Sequence, residues 1–281
     1  MHVIRHSTAA EFLPRAKSWL ETAEAENNLI LGICKYFETN PERINVAPYF
    51  FTIQDAGTLL GTALMAPPRN LIITRMPESA LATLAAYFLE NAITVPGVVG
   101  PKDVTRLFAD YWKNQTGKLS RLRMSQRIYA CDQVVVRIYS PGRFRPAIEG
   151  EEGLLTHWAA DFCREGGIQD EVADTIARIP NQIARRSLYV WETDQVVSMA
   201  AVQRETAHGI AISLVYTPPL LRKQGYATSC VATLTQRMLD TGKKFCCLYT
   251  DLTNPTSNAI YQKIGYEPVC DSEDLVFEQH P

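Results

Sequence analysis

The sequence contains no CxxC pair, and its seven cysteines (Cys34, Cys131, Cys163, Cys230, Cys246, Cys247 and Cys270) are odd in number and irregular in spacing. That pattern speaks against a disulfide framework and against structural zinc, and the five histidines form no ligand pairs with those cysteines. No apolar run approaches the ~20 residues that a helix needs to span a bilayer. The opening MHVIRHSTAAEF has no apolar stretch behind a basic start, so it does not read as a signal peptide. Neither sign of charge dominates: the net charge is −2, and nothing global points to nucleic acid or to an anionic membrane. There is no low-complexity tract. A reduced, cytoplasmic protein without metal is expected, with neither nucleic acid nor membrane as partner. What is present is ordinary for a globular protein, 46% hydrophobic and 21% charged residues over a length of 281, enough for two domains of common size.

The clearest interruption is SPGRFRP, residues 140 to 146, where Pro141, Gly142 and Pro146 break a strand-like pattern. It places a domain boundary near residue 140, dividing the chain into 1–140 and 141–281. In the second half, helices are expected over Glu151 to Arg164 and Asp170 to Ile179, the latter closed by Pro180. Strands follow at Leu188 to Glu192 and Val196 to Glu205, and then GIAISLVY, which is apolar on both faces and so central in a sheet. Pro218 and Pro219 end it. Ala227, Cys230, Val231, Leu234, Met238 and Leu239 are spaced for one buried helix face, stopping at Gly242. The strand FCCLYTD, the short helix PTSNAIYQKI and the strands YEPV and DLVFE complete the half. The first half follows nearly the same order, from HVIRH through PYFFTIQ, TLLGTALMA, LIIT and GVVG to RIYACD, with helices between. This repeat of element order, without a sequence repeat, suggests duplication; a single large mixed sheet is the alternative.

Arg222-Lys223-Gln224-Gly225-Tyr226-Ala227 puts small residues and positive charge together where a helix begins. The first N–H groups of a helix lack partners, and the dipole adds about half a positive charge there. An anion satisfies both if side chains leave room, as Gly225 and Ala227 would. Walker and Rossmann spacings are absent, so a general nucleotide site is the weaker reading. Taken alone, the hexapeptide is equally an ordinary helix start preceded by basic residues.

Its surroundings are more specific. VYTPPLLRKQGYA followed by NPTSNAIYQKIGY resembles the GCN5-related N-acetyltransferases (GNAT), over roughly residues 143 to 279. The pyrophosphate loop of that family, Arg/Gln-x-x-Gly-x-Gly/Ala, is matched by Arg222, Gly225 and Ala227. The resemblance implies an α/β (α+β) fold with a mixed, mostly antiparallel central sheet flanked by helices, two such domains in tandem. The first would be degenerate, because LIITRMPESALATLAA has no glycine at the corresponding junction. It also implies acetyl-CoA as co-substrate, with the pyrophosphate on backbone N–H groups from Lys223 to Thr228, including Gln224 and Tyr226. The central strand would splay from its neighbour, leaving Leu214, Val215 and Tyr216 to pair with pantetheine. Asn254 suits an N-cap before Pro255 and, by resemblance, a pantetheine contact. Asn258, a further candidate cofactor contact by the same resemblance, shares one helix face with Tyr261. Tyr261 matches the tyrosine that family members use as general acid on the departing thiolate, or is simply packed at the sheet edge.

The expected function is direct acetyl transfer to a primary amine, carried by a small molecule or a peptide. A non-catalytic acyl-CoA binding or sensing protein is the alternative. The first half would wall the acceptor site or mediate a homodimer. The sequence does not identify the base: Glu192, Glu205 and His208 lie on or near the strands leading to the site and are candidates, or ordinary surface positions; a water chain or an amine of low pKa would serve as well. Cys246 and Cys247 read as small core residues.

Overall fold

The computed structural model of the chain describes residues 1–40, 46–137, 139–168 and 171–278. In chain order its elements are β1 (His2–His6), α1 (Ala9–Glu21), α2 (Asn28–Thr39), β2 (Tyr49–Asp55), β3 (Thr58–Met65), β4 (Leu71–Ile73), α3 (Glu78–Glu90), β5 (Gly97–Pro101), α4 (Lys102–Thr116) and β6 (Ser120–Cys131). The same order then recurs: β7 (Arg143–Pro146), α5 (Glu152–Glu165), α6 (Val172–Ala184), β8 (Leu188–Glu192), β9 (Val196–Glu205), β10 (Gly209–Tyr216), α7 (Tyr226–Asp240), β11 (Phe245–Asp251), α8 (Pro255–Ile264) and β12 (Glu267–Phe277). The repeat of element order read from the sequence is therefore present in the fold. No described helix is long and apolar enough to cross a membrane.

Two compact units result: Met1–Ile128 with Cys270–Pro281, and Tyr129–Val269. The divisions thus fall at 128/129 and 269/270, where the sequence pattern placed one boundary near 140.

In the first unit the strand order is β1-β2-β3-β4-β5-β12, antiparallel except for the parallel pair β4–β5. Thr8 caps α1 by accepting the Glu11 N–H, and the Glu11 carboxylate accepts the Ser7 N–H in return. One apolar layer, around Phe12, Leu20, Ile30 and Phe50, lies under α1 and α2. The opposite layer, around Phe51, Phe88, Phe108 and Trp112, lies under α3 and α4 and also takes in Leu275 and Phe277 from the end of the chain.

β12 is held in this unit by charge as well as by the ladder. The Glu273 carboxylate, 2% exposed, accepts Nε and Nη2 of Arg106 at 2.8 Å each and lies 3.6 Å from the Lys102 ammonium. Asp274 accepts from Arg123 and from Asn70, and Asp271 from Arg127. YEPV and DLVFE, expected as two strands, form one, because this row of carboxylates between them is paired along the ladder.

In the second unit the order is β11-β10-β9-β8-β7, with β10–β11 the parallel pair. α5 and α6 cover one face through Leu155, Trp158, Ile179 and Ile183. α7 and α8 cover the other through Cys230, Val231, Leu234, Tyr261 and Ile264, with Cys246 buried in the same layer. α6 does not close at Pro180 as expected; it continues to Ala184 because Ile183 is buried one turn beyond Ile179, offsetting the N–H that proline lacks. Its expected start, Asp170, lies outside the described residues. The strand-like run ending at Tyr139 stops as a strand at Cys131, and Ile138 within it is likewise outside the description.

Replacing Glu273 by Gln is expected to lower unfolding stability by about 1.5–3 kcal/mol, the worth of hydrogen bonds to a charged group that has lost its charge. Denaturant unfolding of the full chain measures it. An unchanged midpoint would mean that the Arg106 pair holds nothing.

Candidate functional site

The second unit opens at one place in its sheet. β10 pairs with β11 only through Gly209–Phe245, Ile210–Cys246 and Ala211–Cys247. Beyond Ala211 the two parallel strands part. On its other side β10 pairs with β9 at Ser213–Ala201 and next at Tyr216–Met199, so three steps along β10 answer two along β9. This is a β-bulge, and Leu214 sits in it at φ +51°. The extra residue reverses the side-chain alternation: Ile210 and Ile212 face α7 and α8, whereas Leu214 and Tyr216 face α5 and α6. Neither Leu214 nor Val215 has a partner in either register. The Tyr216 carbonyl does have one, the Ser198 hydroxyl at 3.1 Å, which in turn accepts from Thr217.

Pro218 and Pro219 carry no N–H and end the strand, and Pro219–Leu221 form a short 3-10 turn. Lys223 at φ +64° and Gly225 at φ +79° then reverse the chain into α7. A left-handed non-glycine residue costs roughly 1–2 kcal/mol, so Leu214 and Lys223 are both held against their preference. Ser229 N–H donates to the Gly225 carbonyl, the first bond of the helix, which leaves the amides of Tyr226, Ala227 and Thr228 without helical acceptors. No side chain caps this terminus and no acidic residue lies in its first turn.

The cations of the loop have different fates. Arg222 is exposed but engaged: its Nε donates to the Thr217 carbonyl at 2.9 Å, its Nη2 to the Glu165 carboxylate at 2.7 and 2.9 Å, and it lies over the Tyr216 ring. The Tyr216 phenol, near Glu165 and Asp161, is pushed up to about 12 by burial and then by those carboxylates. Lys223 and Gln224 are exposed, and Gln224 Oε1 accepts from the Tyr226 hydroxyl.

At the end of β11, Asn254 caps α8 by accepting the Ser257 N–H at 3.0 Å. Asn258 donates to the carbonyls of Asp251 and Asn254 and accepts from the Tyr129 hydroxyl at 3.0 Å. Its amide group is thus employed in joining α8 to β11. Tyr261 is 7% exposed, with its ring between those of Tyr129 and Tyr266, and burial pushes its phenol well above the ordinary range. The sequence candidates therefore gather at the C-terminal ends of the parallel pair β10–β11, the end at which α/β sheets commonly receive ligands.

The candidate bases do not gather there as free groups. Glu192 is bound by Arg145 and Arg143, whose hydrogen bonds bring its carboxyl down to about 2, so it has no proton affinity to offer near neutrality. Glu205 and His208 lie at the other end of β10, where Glu205 pairs with Ile210 in the register and with the Lys243 ammonium at 2.7 Å. From there to Tyr216 is about 20 Å of extended chain. Ser140, Glu165, Ser198 and Ser229, which touch the loop or the strand before it, have no motif in the sequence to mark them. Among the described residues no cluster of His, Cys, Asp or Glu is arranged to hold a metal ion.

The corresponding place in the first unit is closed. β4 and β5 pair at Leu71–Val98 and Ile72–Val99, and the Ile73 carbonyl then approaches Gly100 so closely that no Cβ would fit. α3 begins after Pro77 with no side-chain cap and no glycine reversal.

Residues 192–274 match the family model for FR47-like proteins. No curated protein matches the chain. Among solved structures, an acetyltransferase of the GNAT family from Colwellia psychrerythraea is similar at TM-score 0.62 and 10% identity, over all of both chains. A GCN5-related N-acetyltransferase from Sphaerobacter thermophilus is similar at TM-score 0.65 and 15% identity, over 98% of this chain and 95% of that one. A tandem GNAT protein from the clavulanic acid biosynthesis pathway matches at TM-score 0.54 and 10% identity, over 100% and 99%. At such identities the likeness is one of fold.

The Glu192 pairing has a pH signature. A carboxyl depressed in the folded state adds stability above its unfolded value of about 4.3, and that stability is lost as pH falls toward the folded value. Stability of the wild-type chain is expected to decline between about pH 4.3 and 2 through Glu192. Glu192→Gln should flatten that part of the denaturation profile; an unaltered profile would remove Glu192 as its source.

Proposed function

We propose that this chain, whose fold is that of the GCN5-related N-acetyltransferases, binds acetyl-CoA in its second unit and transfers the acetyl group directly to a primary amine. The observation that supports this most is the parting of β10 from β11 beside a helix whose first amides are uncapped. An extended amide-bearing arm and an anionic group at its end would match the unpaired backbone of Leu214 and Val215 and the amides of Gly225, Tyr226, Ala227 and Thr228. Lys223 and Gln224 would flank the anion. Arg222 would act from behind the loop, since its guanidinium is committed to Glu165 and Thr217. Asn254 and Asn258 would shape the far wall by fixing α8 to β11, with Tyr216 packed beneath the bulge.

Acetyl-CoA would supply an activated thioester. One backbone N–H of the bulge would bond its carbonyl oxygen as charge develops there, a donor worth about 3 kcal/mol in comparable sites. Tyr261 would donate a hydrogen bond toward the departing sulfur. Its burial keeps the phenol protonated, but full proton transfer to a thiolate, whose conjugate acid lies near 8.5, would be uphill. With Glu192 neutralised by its arginines and Glu205 and His208 at the far end of β10, deprotonation would fall to water or to an acceptor amine already partly neutral. The same shortage of a base and of an acid favours a second reading, a non-catalytic acyl-CoA binding protein.

Coenzyme A is expected to bind with a stoichiometry of one per chain, since the first unit has no parted strand pair. Gly225→Glu should abolish that binding without loss of the fold; calorimetry with circular dichroism checks both. With acetyl-CoA and a panel of amines, thiol release should follow the free-base fraction of each amine and fall about three- to tenfold in Tyr261→Phe, the worth of one hydrogen bond. Binding without release for any amine would leave the non-catalytic reading.

A further inference from the structure

The turn Tyr139–Gly142 is anchored on three sides. Trp191 Nε1 donates to the Pro141 carbonyl at 3.1 Å, and the Tyr139 ring stacks on the Trp191 indole. Gly142 at φ +126° lies so close to Glu192 and Trp191 that a Cβ would fall 2.5 Å from the Glu192 carbonyl. The Ser140 N–H donates to the buried Ser229 hydroxyl at 2.9 Å. From this platform the Ser140 hydroxyl donates to the Gln224 carbonyl at 2.7 Å.

That last bond acts on the candidate anion loop through the peptide plane. In a trans peptide the C=O and the following N–H point in opposite directions. Holding the Gln224 carbonyl against Ser140 therefore aims the Gly225 N–H away from Ser140 and stops the peptide from turning its oxygen toward an anion. The loop is tied the same way at its other end, where Arg222 Nε takes the Thr217 carbonyl. A Cβ at Gly225 would lie 2.6 Å from the Ser140 oxygen, so a larger residue there must displace that hydroxyl. We propose that Ser140 is a positioning residue for phosphate recognition: it fixes the Gln224–Gly225 peptide so that the loop presents amides and no carbonyl to the pyrophosphate of coenzyme A. This inference rests on the acyl-CoA reading given above.

The test compares wild type, Ser140→Ala and Ser140→Thr as full chains, by calorimetric titration with coenzyme A and, separately, with pantetheine, which has the arm but no phosphate. Circular dichroism confirms the fold of each. Ser140→Ala is expected to raise the Kd for coenzyme A by about three- to tenfold, the worth of one hydrogen bond. Ser140→Thr, which keeps the hydroxyl, should restore it, and the Kd for pantetheine should be the same in all three. An unchanged Kd for coenzyme A in Ser140→Ala, a loss that threonine does not repair, or an equal loss for pantetheine would each overturn the proposal. If wild type itself binds no coenzyme A, the acyl-CoA reading fails and this inference with it, an outcome distinct from an effect missing only in the variant.

Discussion

One extra residue in β10 is the constraint on which the second unit depends. Because three steps from Ser213 to Tyr216 answer two on β9, after two from Ile210 to Ile212 have answered three, the strand cannot keep its pleat in step with both neighbours. It stays with β9 and leaves β11 after Ala211. Two consequences follow from the same event. Side chains beyond the bulge change faces, so that Leu214 and Tyr216 fill the α5–α6 layer while Val215 packs toward α7. Backbone groups beyond it lose their ladder with β11. The left-handed Leu214 is the local cost, and its burial among α5 and α6 side chains keeps it in place.

The first unit supplies an internal control, since it has the same element order without the bulge. β3 answers β4 residue for residue at Ala63–Ile73 and Leu64–Ile72, and Thr74 continues the ladder through its N–H to the Thr62 carbonyl. With no extra residue to push them apart, β4 and β5 remain side by side, and Gly100 admits the Ile73 carbonyl. One topology thus keeps its parallel pair together in one copy and lets it part in the other.

Several cations of the second unit are paired with carboxylates of the same unit. Arg222 is neutralised by Glu165, Arg145 by Glu151 and Glu192, and Lys243 by Glu205. The positive character of the loop then comes mainly from oriented peptide groups, supplemented by Lys223. Oriented amides suit a diffuse anion, since they need no side-chain ordering on binding.

Much was legible in the residues themselves. The Pro218–Pro219 stop, the helix start after Gly225 and the Asn254-Pro255 start of α8 are local, set by missing donors and helical spacing, and each stands where the pattern put it. What the pattern missed depended on partners distant in sequence. α6 runs through Pro180 because Ile183 finds a core, and YEPV joins DLVFE because arginines from α4 and β6 meet its carboxylates. The pairing of Arg222 with Glu165, the ion pairing that disqualifies Glu192 and the hold of Ser140 on Gln224 were likewise decided only by tertiary structure. Capping, turning and amphipathic spacing act within a few residues. The direction of a guanidinium or a peptide plane depends on which acceptor the completed fold brings within 3 Å, as Glu165 and Ser140 are brought here.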